Sequence, residues 1–234
     1  MPRSFLSARW SNLFLCTYAV PPGLLRPRLA PGLELDTRDG QAFVSLVAFD
    51  FLDTRVLGVG WPGFRNFAEL NLRFYVRRGA ERGVMFVREF VPQRMVAWVA
   101  RTLYNEPYTA APLRSAVRAG AAQIAIEHRL RWAGRVHTIS ATAAMPGAYA
   151  AETSLEHFFK EHQWGYGTTR SGQLIRYEVR HPIWQTYPVL TYRIDLDWAR
   201  VYGPEWAFLG GTTPYSTVLA AGSPVQVFFG QRMG

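Results

Sequence analysis

The segment 69–77 constrains the fold most strongly, because apolar and polar side chains alternate along it. Apolar residues fill its even positions, and its odd positions up to 75 carry Glu69, Asn71, Arg73 and Tyr75. A period of two places successive side chains on opposite faces of a β-strand. We therefore predict a strand with one core face and one polar face. The polar row would be solvated on an open sheet, whereas inside a closed sheet it would line a cavity.

Turn signals around this strand predict hairpins. Asp39-Gly40 separates predicted strands at 33–37 and 42–51, and residues 78–83 return the 69–77 strand into another strand at 84–90. A third hairpin is predicted around Ala133-Gly134, between 122–132 and 135–143. The other predicted strands are 174–180, 189–196, 216–220 and 225–229, and the predicted helices are 24–29, 92–104 and 154–160. Many hairpins and few helices indicate an α+β fold, with a mainly antiparallel curved sheet or partly closed barrel.

The amino-acid composition indicates how many domains to expect and in which cellular compartment the protein lies. The chain has 234 residues, of which 49% are hydrophobic, and no linker-like tract divides it, so we expect one domain over residues 1–234. No segment resembles a signal peptide or a membrane span, which predicts a cytoplasmic protein that does not contact membrane. The lone cysteine, Cys16, follows Phe14 and Leu15 and should be a buried, inert thiol.

The net charge of +9 raises the question of an anionic polymer as partner. The arginines are spread along nearly the whole chain and form no basic run, which argues against nucleic-acid binding. The glycines of segment 58–63 match a dinucleotide-binding pattern, but Pro62 and Gly63 do not open a helix, so we predict a loop. On a helix His157 and Glu161 would share a face, yet the His-Glu-x-x-His arrangement is lacking. We expect no metal and no cofactor.

Residues 161–184 carry more His, Glu, Trp and Tyr than a core needs, because every buried polar tip requires a hydrogen-bond partner. A cavity wall would account for this composition, and packing of ordinary core and surface side chains is the alternative. Arg101 and Tyr104 can share one side of the predicted helix, with Tyr108 following Pro107. An arginine beside tyrosines can hold a carboxylate through charge-assisted hydrogen bonds.

Three segments together resemble the YqjF-like family of uncharacterised bacterial proteins. They are 67–76, 100–108, and 161–166 with the following 181–184, and the resemblance extends over roughly residues 10–198. That family is similar, more distantly, to the acetoacetate decarboxylase-like superfamily. The resemblance implies a curved, largely antiparallel sheet that closes around a cavity, with Glu69 at the place of an acidic cavity residue.

The chain departs from the decarboxylases at their reactive lysine. In those enzymes a lysine forms a Schiff base with a keto acid, a second lysine lowers its pKa, and the pair follows a Tyr-Pro dipeptide. The matching place here is 106–109, Glu-Pro-Tyr-Thr, and Lys160, the only lysine, lies in another segment. Arginine cannot replace lysine as a nucleophile because it stays protonated. The resemblance therefore implies the cavity without Schiff-base chemistry.

We expect the chain to bind a small, partly apolar organic acid in a cavity enclosed by the sheet. The candidate proton-transfer residues are Glu69 and His162. The candidate ligand-binding residues are Arg73, Tyr75, Arg101, Tyr104, Tyr108, Trp164, Tyr166 and His181. Two alternatives stay open: an enzyme of unassigned reaction in the same cavity, and a structural or partner-binding module that forms a homo-oligomer.

Overall fold

The computed structural model describes residues 4–151, 154, 158–159 and 162–233. The helices with described bounds are α1 (Pro22–Leu25), α2 (Arg94–Leu103) and α3 (Trp198–Tyr202), with 3₁₀ turns at Arg26–Arg28 and Pro204–Gly211, and residues 158–159 are also helical. The strands are β1 (Ser4–Val20), β2 (Glu34–Leu35), β3 (Ala42–Val56), β4 (Phe67–Arg78), β5 (Glu81–Val91), β6 (Tyr108–Ala110), β7 (Leu113–Ala119), β8 (Gln123–Trp132), β9 (Arg135–Ala144), β10 (Ala148–Tyr149), β11 (Trp164–Thr168), β12 (Leu174–Arg180), β13 (Gln185–Tyr187), β14 (Val189–Asp195), β15 (Ser216–Phe228) and β16 (Gln231–Arg232). Most of the helix predicted at 154–160 lies outside the described residues.

The larger of two sheets curls into a partial ring. Its strands run in the order β10-β13-β15-β1-β3-β4-β5-β11-β12-β16, with β2 beside β4 and β6 beside β5. A further pairing, of Val179 on β12 with Val227 on β15, joins two strands that lie far apart in this order. The β5–β11 and β5–β6 pairs are parallel and the others are antiparallel. The predicted mainly antiparallel, curved α+β fold is confirmed.

The smaller sheet, β14-β9-β8-β7, is antiparallel and shares a buried core with the larger sheet. Leu70, Leu72 and Phe74 of β4 belong to this core, together with Ile126 of β8 and Ile139 of β9. The even face of β4 is therefore the core face, as the alternation predicts. Burial of this apolar surface supplies most of the driving force for bringing the two sheets together.

The odd face of β4 is also shielded from solvent. Glu69, Asn71 and Tyr75 expose only 3%, 2% and 1% of their surface, and Arg73 is partly buried. A solvated face would leave such side chains open to water. The odd face of β4 is therefore turned toward the interior of the partial ring and away from solvent.

The predicted hairpins are observed in two of three cases. Residues 78–81 join β4 to β5, and Ala133-Gly134 joins β8 to β9. The prediction that segment 33–37 pairs with 42–51 was wrong, because β2 pairs with β4 instead. The pairing of β3 with β4 begins only at Val44, opposite Phe74, so the end of β4 beyond that pair is free to take β2. The segments predicted at 216–220 and 225–229 form one strand, β15.

A β-bulge in β5 decides which of its side chains face the ring interior. Leu72 of β4 pairs with Arg88, but the next residue, Arg73, pairs with Phe86, so Val87 is the extra residue. The extra residue shifts the alternation by one. Phe86 and Glu89 therefore face the same side although they are three residues apart, whereas Arg88 points away and donates a hydrogen bond to the carbonyl of Val201 at 2.6 Å.

The loop prediction for 58–63 is confirmed, since those residues lie in a turn-rich segment between β3 and β4. Within the described part of the chain, the helices are all too short or too polar to span a bilayer.

Candidate functional site

A cavity of about 570 Å³ lies within the partial ring. Its walls are mostly apolar and rich in aromatic side chains from β1, β3 and β4, among them Trp10, Phe49 and Phe67. Trp61 and Met95 also line it and are 58% and 57% exposed, so the cavity opens to solvent between the 57–66 loop and α2. The volume and the apolar lining fall in the range that is usual for small-molecule sites.

Three carboxyl groups converge on this cavity: Glu69 from β4, Glu89 from β5, and Glu106 from the turn between α2 and β6. We call them the carboxyl cluster. They expose 3%, 1% and 5% of their surface, respectively. Buried carboxyl groups are rare unless they are paired or protonated, so this cluster needs an electrostatic explanation.

Hydrogen bonds satisfy part of the cluster. Asn71 donates its side-chain amide to Glu69 Oε1 at 2.8 Å, and the Tyr108 hydroxyl donates to Glu69 Oε2 at 2.9 Å. The Tyr177 hydroxyl donates to Glu106 Oε1 at 3.0 Å. Glu89 Oε1 has no hydrogen-bond partner among the described residues. The cluster therefore keeps a polar atom free for a ligand or for water.

Burial raises the pKa of all three carboxyl groups. The pKa of Glu69 rises to about 7 and that of Glu106 to about 8. The pKa of Glu89 is raised well above its usual value, by burial and then by repulsion from Glu69 and Glu106. At neutral pH the cluster thus holds protons that exposed carboxyl groups would have lost. A carboxyl group with a pKa near the working pH can both give and take a proton.

The second candidate for proton transfer, His162, is held by a separate polar group. Its Nε2 lies 3.0 Å from Asp36 Oδ2, which also accepts a hydrogen bond from Arg82 Nε at 2.7 Å. Burial lowers the pKa of His162 to about 4. Burial acts to raise the pKa of Asp36, but its hydrogen bonds to His162 and Arg82 outweigh this and lower it. His162 is therefore neutral and donates through Nε2, which leaves Nδ1 as an acceptor.

Arg73 and Tyr75 lie next to His162. Arg73 lines the cavity, and one of its terminal nitrogens donates to the carbonyl of Phe159 at 3.1 Å. The Tyr75 ring packs with its centroid 4.7 Å from that of His162, and its hydroxyl is hydrogen-bonded with Ser45. Tyr75 is not among the lining residues, so it supports His162 from behind.

The other predicted ligand-binding residues divide into two groups. Tyr104, Tyr108, Trp164 and His181 line the cavity, although the Tyr104 hydroxyl already donates to the carbonyl of Phe228. Tyr166 is fully buried outside the lining and donates its hydroxyl to Glu81 at 3.2 Å.

The structure does not bring Arg101 into the cavity. The side of α2 that carries Val96, Val99 and Ala100 faces the cavity. Arg101 lies about 100° further round the helix and is exposed. The predicted anion site of Arg101, Tyr104 and Tyr108 is therefore not formed, because Arg101 lies outside the cavity. Arg73 is the arginine that lines the cavity.

Glu89, Glu106 and Tyr177 are the site residues that the sequence interpretation missed. The bulge at Val87 conceals Glu89, since strict alternation from Phe86 would turn it away from the cavity. A signal for Glu106 was available, because it opens segment 106–109, which the sequence resemblance set against the lysine site of the decarboxylases. Tyr177 lies beside Gly165 in the β11–β12 pair, and the spacing of small and aromatic residues across that pair could have indicated it.

In the described part of the chain, His, Cys, Asp and Glu side chains form no group of three or more suited to a metal. The predicted helical pair of His157 and Glu161 lies outside the described residues.

A model of a family of uncharacterized conserved proteins, DUF2071, matches residues 7–224. The chain belongs to the DUF2071 family. A relative from Bacillus subtilis (strain 168), the uncharacterized protein YqjF, is 29% identical over 177 residues, which cover 75% of this chain and 72% of the relative. The resemblance to YqjF-like proteins is thereby confirmed.

Solved structures relate this DUF2071 fold to the acetoacetate decarboxylases. An acetoacetate decarboxylase-like enzyme from Sphingomonas wittichii RW1 has a TM-score of 0.68 at 12% identity, covering 100% of this chain and 94% of that one. Acetoacetate decarboxylase from Legionella pneumophila has a TM-score of 0.64 at 14% identity, covering 97% and 87%. The enduracididine biosynthesis enzyme MppR, complexed with pyruvate, has a TM-score of 0.67 at 13% identity, covering 100% and 91%. At these identities the likeness is one of fold.

Proposed function

We propose that the chain binds a small, largely apolar organic acid in the cavity. The observation that carries this proposal is an apolar cavity of about 570 Å³ that contains three buried carboxyl groups and a partly buried arginine, Arg73. Protonated carboxyl groups can donate hydrogen bonds to an acid or carbonyl, and Arg73 supplies a positive charge. The aromatic walls would hold the apolar part of the ligand.

Two structural neighbours support an organic acid as the ligand class. MppR was solved with pyruvate, and acetoacetate decarboxylase is named for a keto acid. The proposal takes only the ligand class from them. Among the described lining residues there is no lysine, so the ligand would be held without a Schiff base.

A second candidate function is catalysis of proton transfer by Glu69. The raised pKa of Glu69, about 7, favours it, because such a group accepts a proton from carbon more readily than an ordinary carboxylate. Glu69 would remove a proton from the carbon next to a carbonyl, and the bonding electrons would move to the carbonyl oxygen. The protonated Glu106 would donate a hydrogen bond to that oxygen, and return of the proton to carbon would complete an exchange.

Binding is tested first by thermal unfolding with aliphatic and aromatic carboxylic acids, each beside the alcohol and amine of the same skeleton. We expect acids to raise the unfolding temperature while the matched amines do not, since a ligand that binds only the folded state stabilises it. A Val99→Trp variant, which fills the cavity mouth, should lose this response. If no acid stabilises the protein, the structural or partner-binding alternative takes precedence.

Proton transfer is tested by incubating acids that bind in D₂O and following the α-protons by NMR. We expect wild-type protein to speed their exchange and Glu69→Gln to remove the acceleration while retaining binding. If Glu69→Gln exchanges as fast as wild type, Glu69 is not the base, and the binding proposal stands without catalysis.

A further inference from the structure

We infer that the cavity has two separate polar ends and takes a bifunctional ligand, with a carboxylate at Arg73, beside His162, and a carbonyl or hydroxyl group at the carboxyl cluster. This inference rests on the proposed function, because it assigns an orientation to the organic acid. It names a site, the pair of Arg73 and His162, that is distinct from the carboxyl cluster.

The two ends lie on one strand face. Glu69 and Arg73 are four residues apart on β4, which at ~3.3 Å per residue places their Cα atoms about 13 Å apart. Asn71 lies between them, opposite Glu89 of β5, and turns its amide nitrogen toward Glu69, not toward Arg73. A small molecule that contacts both ends must therefore carry two polar groups with a spacer between them.

Arg73 has the character of an anion site. No carboxylate of the described residues lies within ion-pair distance of it, whereas Arg82, on the neighbouring strand, is paired with Asp36. Its Nε is buried without a hydrogen-bond partner among the described residues. A shielded guanidinium without an ion-pair partner among the described residues favours an incoming carboxylate, which can accept from it in a charge-assisted hydrogen bond.

His162 supplies the complementary acceptor. Its Nε2 is engaged by Asp36, and its Nδ1 is buried without a partner in the described part of the chain. The side chain of His162 is only 1% exposed, yet the residue lines the cavity. An unprotonated nitrogen cannot donate to a carboxylate, so Arg73 holds the carboxylate, and His162 can accept from a hydroxyl or N–H group that lies next to it.

Asn71, whose Oδ1 is buried without a partner among the described residues, is the polar residue between the ends, and the walls next to it and to Arg73 are apolar. Phe86 and Val84 of β5 lie opposite Arg73 and Tyr75 and line the cavity, with Val47 of β3 on the other side. A methylene chain or a ring suits this part of the cavity better than a polar group does, because a polar group there would lose its hydration without gaining a hydrogen bond. The ligand class is therefore an ω-hydroxy or ω-oxo carboxylic acid with an apolar middle.

The test uses isothermal titration calorimetry with four six-carbon probes: 6-hydroxyhexanoate, hexanoate, 1,6-hexanediol and hexan-1-ol. The series is repeated with four- and eight-carbon chains, so that the best spacer length is compared. At that length we expect the hydroxy acid to bind at least about tenfold more tightly than either the simple acid or the diol. Equal affinities of the hydroxy acid and the simple acid would overturn the inference but leave the proposed function in place.

Two arginine variants assign the carboxylate end. We expect Arg73→Gln to weaken hydroxy-acid binding by about tenfold while the diol binds as before. Arg101→Gln removes the same charge from the exposed side of α2 and should leave both affinities unchanged. If Arg73→Gln binds the hydroxy acid like wild type, the carboxylate does not lie at Arg73. If no acid binds wild-type protein at any length, the proposed function fails together with this inference.

Discussion

Tyr177 donates a hydrogen bond to Glu106 at 3.0 Å, and the ring that carries its hydroxyl lies over Gly165 on the adjacent strand. A Cβ atom at position 165 would lie 2.0 Å from Cζ of Tyr177. The absence of a side chain at Gly165 therefore allows Tyr177 to reach the carboxyl cluster. This contact explains why a glycine occupies position 165 in the aromatic-rich segment around Trp164.

We predict that Gly165→Ala displaces the Tyr177 ring and breaks the hydrogen bond to Glu106. The expected loss in the free energy of unfolding is about 1–3 kcal/mol, from overpacking and from a buried carboxyl group left without its partner. Urea unfolding measures it. Gly23→Ala is the control, because a Cβ at that position meets nothing within 4 Å. A Gly165→Ala variant as stable as Gly23→Ala would contradict the role of the glycine.

Stability should fall as pH rises through neutrality. The pKa values of Glu69 and Glu106, about 7 and about 8 in the folded chain, lie above the ordinary value of 4.5. Between pH 4.5 and 8 the unfolded chain has released protons that the folded chain retains. The free energy of unfolding therefore decreases with rising pH in this window, by at most about 1.4 kcal/mol per pH unit for each group.

Urea midpoints at a series of pH values measure this slope. Glu106→Gln removes one of the titrating groups, so its slope across the window should be flatter than that of wild type. Glu34→Gln removes a carboxylate from an exposed position beside Arg77 and serves as the matched control. Parallel profiles for Glu106→Gln and wild type would show that Glu106 does not retain its proton on folding.

Asp36→Asn should destabilise the fold by about 1–3 kcal/mol, because Arg82 and His162 would both lose the carboxylate oxygen that they share. Asp39→Asn makes the same chemical change three residues away, where the side chain is 87% exposed, and should stay within about 0.5 kcal/mol of wild type. Thermal and urea unfolding compare the two. An equal, small effect of both variants would mean that the Asp36 group contributes little.

Cys16 should resist thiol reagents in the folded protein. It is fully buried, and burial raises the pKa of its thiol to about 12, so the thiolate that reacts is scarce at pH 8. We expect labelling by a disulfide reagent to proceed only as fast as the protein unfolds, and to become rapid in urea. Fast labelling without denaturant would place Cys16 in a more open environment than the core.

The alternation along β4 predicted that Glu69 and Arg73 share one face, because an uninterrupted strand keeps its alternation, but it left open whether that face was solvated or lined a cavity. The sequence did not predict that Glu89 joins them, since a bulge leaves no compositional signature. It also placed Arg101 with the tyrosines, because helical spacing alone does not say which side of α2 meets the sheet. Pairings between distant segments, such as β2 with β4, depend on which edge is vacant in the assembled sheet.

The extra residue at Val87 also bears on how relatives of this chain should be aligned. Gaps are usually placed in loops, where insertions cost least. In β5, however, loss of Val87 would leave Phe86 and Glu89 two positions apart and still on the cavity face, with Arg88 still on the opposite face. A gap placed at Val87 would therefore align the cavity-facing carboxyl groups of two family members, whereas a gap moved into the loop after β5 would align the relative's carboxyl group with Arg88.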